Sequence, residues 1–123
     1  MDNTRLSAQI TSINGIPIVA VQGEIDLYTV PEFRKALQQV IDEEPSALIV
    51  DLREISYIDS AGLGALLAAF KTLSAHNAPI CVVTGPDNPG VRRVLEITRL
   101  DTLMLIRNSV EDAVRDLSVS RAA

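Results

Sequence analysis

The stretch Ser46–Phe70, SALIVDLREISYIDSAGLGALLAAF, decides the fold class. It opens on SALIVDL, a short and almost wholly apolar run, the pattern of a strand covered on both faces. It closes on a leucine- and alanine-rich run in which Leu63, Leu66, Leu67 and Phe70, with Leu73 just beyond, recur at helical spacing. The link REISY leads from strand to helix, and the pair Asp59–Ser60 stands where the helix begins. A buried strand feeding a helix is half of a β-α-β unit.

The same grammar extends both ways along the chain. Upstream, LSAQITSI alternates in part, with Leu6, Ala8 and Ile10 on one side, and Asn14–Gly15 is a strong short hairpin signal. IPIVAVQG reads as the returning strand, with Pro17 at an early or edge position. A first helix follows: Thr29 is its expected N-cap, Pro31 falls in its first turn and Glu32 completes a Thr-x-x-Glu capping box. Val30, Phe33, Leu37, Val40 and Ile41 form its inner face. Downstream, PICVVTG is another buried strand. Asn88 and Pro89 start a helix with Val91, Val94 and Leu95 inward, and LMLI is a last strand. Ser109 and Asp112 open a final helix with Val110, Ala113, Val114 and Leu117 as its stripe, and the tail SVSRAA is expected to fray.

The order is β-β-α-β-α-β-α-β-α: an α/β domain of about five strands and four helices, a hairpin followed by right-handed crossovers and a mostly parallel sheet. The 123 residues suit one domain spanning 1–123 with a core of about 6–117. Aromatic residues make up 3% of the chain, so few platforms exist for stacking nucleic-acid bases. A net charge of −5 with no basic run disfavours nucleic-acid or anionic-membrane binding. The leading MDNTRLSAQI has no apolar signal core, and no apolar run approaches spanning length, so a soluble cytoplasmic protein is expected. The lone Cys81, inside PICVVTG, reads as a buried small hydrophobe.

Four roles are open to Ser60: nucleophile, phosphate cradle, helix cap, or substrate of a modifying enzyme. A nucleophilic serine needs a base within hydrogen-bond reach. The only histidine, His76, lies sixteen residues on, roughly 24 Å away along a helix, and Lys71 is also too distant. His76 instead suits the helix C-terminus. Asp26, Asp51 and Asp59 without histidine or cysteine partners make a poor metal site. No catalytic residue and no cofactor is expected. Gly62 and Gly64 would admit a phosphate to the helix N-terminus, but no Walker lysine follows and Asp59 would repel an anion. Ser60 as a plain N-cap, worth about 1 kcal/mol, is the strongest local reading.

The face opposite the leucines carries Ala61, Ala65, Ala68 and Thr72, with Gly64 on its flank and no charge in its first three turns. Either another element roofs it, or a partner protein lies on it. A phosphate on Ser60 would add about −1.5 to −2 charges beside such a surface. The helix would tolerate an anion at its N-terminus, whereas a docked partner would not.

GEIDLYT (Gly23–Thr29), VDLREISYIDSAGLGAL (Val50–Leu66) and the closing SVEDAV together resemble the STAS domains of the anti-sigma factor antagonist group, over roughly Leu6 to Leu117. The resemblance implies partner switching. The unmodified domain binds an anti-sigma factor that is also a serine kinase, freeing the sigma factor. Phosphorylation of the serine at the start of the second helix weakens that binding, and a serine phosphatase restores it. Ser60 stands at that position; Asp26 and Asp59 match the acidic residues flanking it, and Gly62, Leu63 and Gly64 match the turn after it. Ser56 and Thr72 are secondary candidates for phosphorylation. A non-switching scaffold in a stress-signalling or lipid-transport complex is the alternative, and a nucleotide-binding domain a weaker one.

Overall fold

Asn14 and Gly15 both take left-handed backbone angles, φ 53° and 78°, the twist that a two-residue hairpin turn demands. They join β1 (Leu6–Ile13) to β2 (Ile16–Ile25) in the antiparallel pairing expected. A computed structural model describes residues 6–122, with side chains through residue 118. The expectations drawn from residues 1–5 and from Ala123 lie outside the described residues.

Beyond the hairpin the chain alternates α1 (Val30–Ile41), β3 (Leu48–Ile58), α2 (Ser60–Ser74), β4 (Ile80–Val83), α3 (Pro89–Ile97), β5 (Leu105–Arg107) and α4 (Val110–Ala122). A single 3-10 turn, Leu100–Thr102, precedes β5. The strands lie in the order β1-β2-β3-β4-β5, and every pair after the hairpin is parallel. The α/β class, the strand number and the element order are those read from the sequence.

Helices α1, α2 and α3 pack on one face of the sheet, through Phe33, Leu37, Leu66, Leu73 and Leu95 against Val19, Val50, Leu52 and Val82. Such an arrangement follows when successive crossovers share one hand while the sheet grows in one direction. The other face is covered by α4, whose Val110, Ala113, Val114 and Leu117 meet Ile16, Ile18, Ile49, Cys81 and Val83. Burial on both faces explains the continuous apolar reading of Leu48–Val50 and of β4.

Three local expectations change. First, β3 does not end at Leu52 but continues through the supposed link to Ile58. Its far half pairs only with β2, and the register slips twice: Ala20 and Gln22 face Asp51 and Glu54, then Gly23 and Glu24 face Ile55 and Tyr57. Each slip places an extra residue on β3. Its buried residues there consequently fall at Leu52, Ile55 and Ile58, every third position, which conceals a strand from a period-two search. Second, Thr29 and Asn88 stand at the N-cap positions of α1 and α3 without capping them. The Asn88 amide donates instead to the Ile55 carbonyl, tying the β4–α3 loop to the bulged strand. Third, α4 runs through the tail to Ala122, since neither glycine nor proline interrupts it. Half of its expected capping box forms: the Asp112 amide donates to Ser109 Oγ at 3.1 Å.

Cys81 is fully buried, and burial pushes its thiol up to about 12. Raised above its ordinary value near 9.0, the native thiol holds its proton where an unfolded one would lose it. Its stabilising contribution is therefore whole below pH 9 and is lost as pH rises from 9 toward 12. A thiol-reactive chromogen at pH 8 should find no reactive group until denaturant is added, and then one. Prompt reaction with the native protein would contradict this packing.

Candidate functional site

The carboxyl ends of β2 and β3 lie side by side, Ile25 opposite Ile58, and the chain leaves both strands on the same edge of the sheet. The Asp59 amide donates to the Ile25 carbonyl at 3.1 Å, prolonging the pairing by one bond. Asp59 itself has extended backbone and is the N-cap of α2. Its Oδ1 accepts from the amides of Ala61 at 2.9 Å and Gly62 at 3.3 Å, and its Oδ2 accepts from the Leu27 amide at 3.1 Å. The cap expected from Ser60 is thus made by its neighbour; aspartate and serine cap equally well, so residue type alone does not separate them. Ser60 becomes the first helical residue, exposed, with its hydroxyl unengaged among the described residues.

The loop facing it has its own lock. Asp26 Oδ1 accepts from the amides of Tyr28 at 2.9 Å and Thr29 at 3.0 Å. The Thr29 hydroxyl accepts from the Asp26 amide at 2.9 Å and donates to the Glu24 carbonyl at 2.7 Å. Thr29 therefore serves the loop rather than a box with Glu32. The tight turn leaves Leu27 67% and Tyr28 81% exposed, and Tyr57, the penultimate residue of β3, is 52% exposed. Sequence reading passed over these three. Their signal was an apolar pair, Leu27–Tyr28, placed between a turn-forming Asp and a helix start.

The smooth face of α2 is divided. Ala65, expected on that face, is buried at 2%, and Gly62 is buried near it. Helix α1 packs beside α2, and a groove of about 360 Å³ runs between them, floored by Ala68 and Thr72 and walled by Arg34 and Lys35. Ala68 and Thr72 are exposed; Ala61 and Gly64 are half-buried. Of the leucine stripe, Leu63, Leu67 and Phe70 are half-buried, while Leu66 and Leu73 are fully inside. Close approach at Gly62 turns the small residues inward and the larger ones sideways.

The two glycines differ in what they permit. A methyl group on Gly62 would stand 2.6 Å from Ile25 Cγ2 and 2.7 Å from Ile58 Cγ1, below any contact a protein tolerates. One on Gly64 would meet only Arg34 Nη2, at 3.8 Å. The alternative hydroxyls are engaged: Ser56 donates to the Gly23 carbonyl at 3.4 Å and Thr72 to the Ala68 carbonyl at 3.1 Å.

The α2 amides that would cradle a bound phosphate are taken by Asp59, which removes the physical basis of the nucleotide reading. Asp51 is held by Arg53, at 3.0 Å from Nε and 2.9 Å from Nη2. His76 lies beyond the far end of α2, its Nδ1 3.1 Å from the Thr72 carbonyl. Among the described residues no group of three or more His, Cys, Asp or Glu side chains is arranged to hold a metal ion, and no helix is long and apolar enough to cross a membrane. A cavity of about 1150 Å³ opens near the end of α2, between Phe70, Ser74, Asp101 and Leu103, away from the Asp59–Ser60 junction.

The family model for the STAS domain matches residues 7–113. An anti-sigma-B factor antagonist of Listeria monocytogenes is 38% identical over 90 residues, covering 73% of this chain and 77% of that protein. One from Staphylococcus aureus is 32% identical over 106 residues, covering 86% and 96%. The crystal structure of an anti-sigma factor antagonist from Mycobacterium paratuberculosis matches with a TM-score of 0.85 at 28% identity, over 92% of this chain and 94% of that one.

Gly62→Ala should destabilise the domain by about 1–3 kcal/mol through overpacking, whereas Gly64→Ala should hold or raise stability by up to about 1 kcal/mol. Urea unfolding of both variants checks the contrast. Equal effects would contradict the division of α2 into a packed and an open side.

Proposed function

The chain belongs to the STAS domain family, and from that premise we propose that it is an anti-sigma factor antagonist switched by phosphorylation of Ser60. The observation that carries the switch is the division of labour at the start of α2. Asp59 does the capping, so the Ser60 hydroxyl is exposed, unengaged and available to an enzyme without loss of the helix. The partner is an anti-sigma factor with serine kinase activity, and a serine phosphatase restores the active form. The chain itself acts as a binding protein rather than a catalyst, in the cytoplasm where transcription is controlled.

In the unmodified state the docking face combines the exposed Leu27, Tyr28 and Tyr57 with the shallow surface of Ala61, Gly64, Ala68 and Thr72. Apolar side chains beside small ones supply area that a partner can bury closely. The kinase transfers the γ-phosphoryl group of its ATP to Ser60 Oγ; the hydroxyl proton leaves and ADP remains with the kinase. The product carries about −1.5 to −2 added charges beside Asp59 and Asp26. At an α-helix N-terminus that charge is tolerated or mildly stabilising. At a protein interface it must be desolvated next to two carboxylates, which opposes docking. The fold persists while binding is lost.

Incubation with the cognate kinase and ATP should add the mass of one phosphoryl group to the native chain and none to Ser60→Ala, read by intact mass spectrometry. An equal gain in the variant would place the modification elsewhere. Ser60→Asp should weaken partner binding at least tenfold, by calorimetry, while leaving Tm nearly unchanged. A large fall in Tm would mean that position 60 is needed for the helix itself.

A further inference from the structure

Arg34 is exposed on α1 and makes no hydrogen bond or ion pair among the described residues. Its Nη2 lies over α2, 3.8 Å from where a Cβ of residue 64 would be. Residue 64 is one helical turn beyond Ser60, on the same side of α2, about 5–6 Å away between Cβ positions. Because residue 64 is glycine, it puts no side chain of its own between the guanidinium and Ser60. The carboxylates at the two strand ends are engaged elsewhere: Asp59 accepts from Ala61, Gly62 and Leu27, and Asp26 accepts from Tyr28 and Thr29.

We propose that Arg34 is the intramolecular partner of a phosphoryl group on Ser60, reaching across Gly64 to bind it. The proposal rests on phosphorylation of Ser60 and specifies how the modified state is held. A guanidinium presents a planar fork of donors matched to two phosphoryl oxygens, so one residue can fix the group against α2. Before modification, Arg34 stands at the docking face as an available cation for an acidic group of the partner. After it, the guanidinium is turned onto phosphoserine. Phosphorylation thus adds negative charge and withdraws a positive one in the same step.

The test installs phosphoserine at position 60 during translation, with no kinase involved, and follows its second ionisation by phosphorus NMR. The other charged groups on the elements that meet there are Asp59 and Asp26 at the strand ends, Glu24 on β2, and Glu32 and Lys35 on α1, and all are kept constant. A neighbouring guanidinium favours the dianion, so phosphoserine in the native background should titrate about one pH unit lower than in Arg34→Gln, with Arg34→Lys between them. Circular dichroism should show all three equally folded, since Arg34 is exposed. Superimposable titration curves for the native background and Arg34→Gln would overturn the pairing. Failure of a kinase to modify Ser60 would instead sink the switch and leave this titration unaffected.

Discussion

One carboxylate holds the working end of the domain together. Asp59 closes the first turn of α2 with one oxygen and pins the β2–α1 loop with the other, at Leu27. Neither contact is a strong isolated interaction; a cap is worth about 1 kcal/mol and a hydrogen bond to a charged group about 1.5–3. Their value lies in joining two segments 32 residues apart at one point. The serine next to that point is exposed and makes no hydrogen bond among the described residues, so the fold around it does not depend on its hydroxyl.

The packing beneath has the same economy. Gly62 lets α2 press against Ile25 and Ile58, and this close approach sets the rotation of the helix. That rotation puts Ala65 and Ala69 inside, beside Leu66, and leaves Ala68 and Thr72 facing out next to α1. The groove between α1 and α2 is shallow because its floor is alanine, and it is basic along its α1 wall. Against the acidic balance of the whole chain, that local reversal is a feature of the site rather than of the composition.

Much of the architecture is legible in the sequence because each element obeys one period. Asn14–Gly15, the stripe of α1 and the stripe of α4 all fall where hairpin and helical spacing place them. The second half of β3 was not legible, since two register slips replace the two-residue period of a strand with a spacing of three. The capping of α2 was not legible either. Two adjacent residues had equal capping chemistry, and only the position of Leu27, far away in sequence, favours Asp59. The buried side of α2 misled for a related reason: hydrophobicity ranks Leu63 and Leu67 above Ala65 and Ala69, but at close helix–sheet approach small side chains fit best. Ser60 reads from the sequence as the cap rather than as the exposed first residue of the helix, and the exposure of Leu27, Tyr28 and Tyr57 emerged only once the loop had a shape.

The central claim is that the same folded domain frees a sigma factor when Ser60 is unmodified and cannot when it is phosphorylated. The most direct measurement adds each form, in equal amount, to a preformed complex of sigma factor with its anti-sigma factor kinase and follows free sigma factor by size-exclusion chromatography. The account predicts release by the unmodified protein and none by the phosphorylated one, with matching circular dichroism spectra for the two. Equal release by both forms would contradict it.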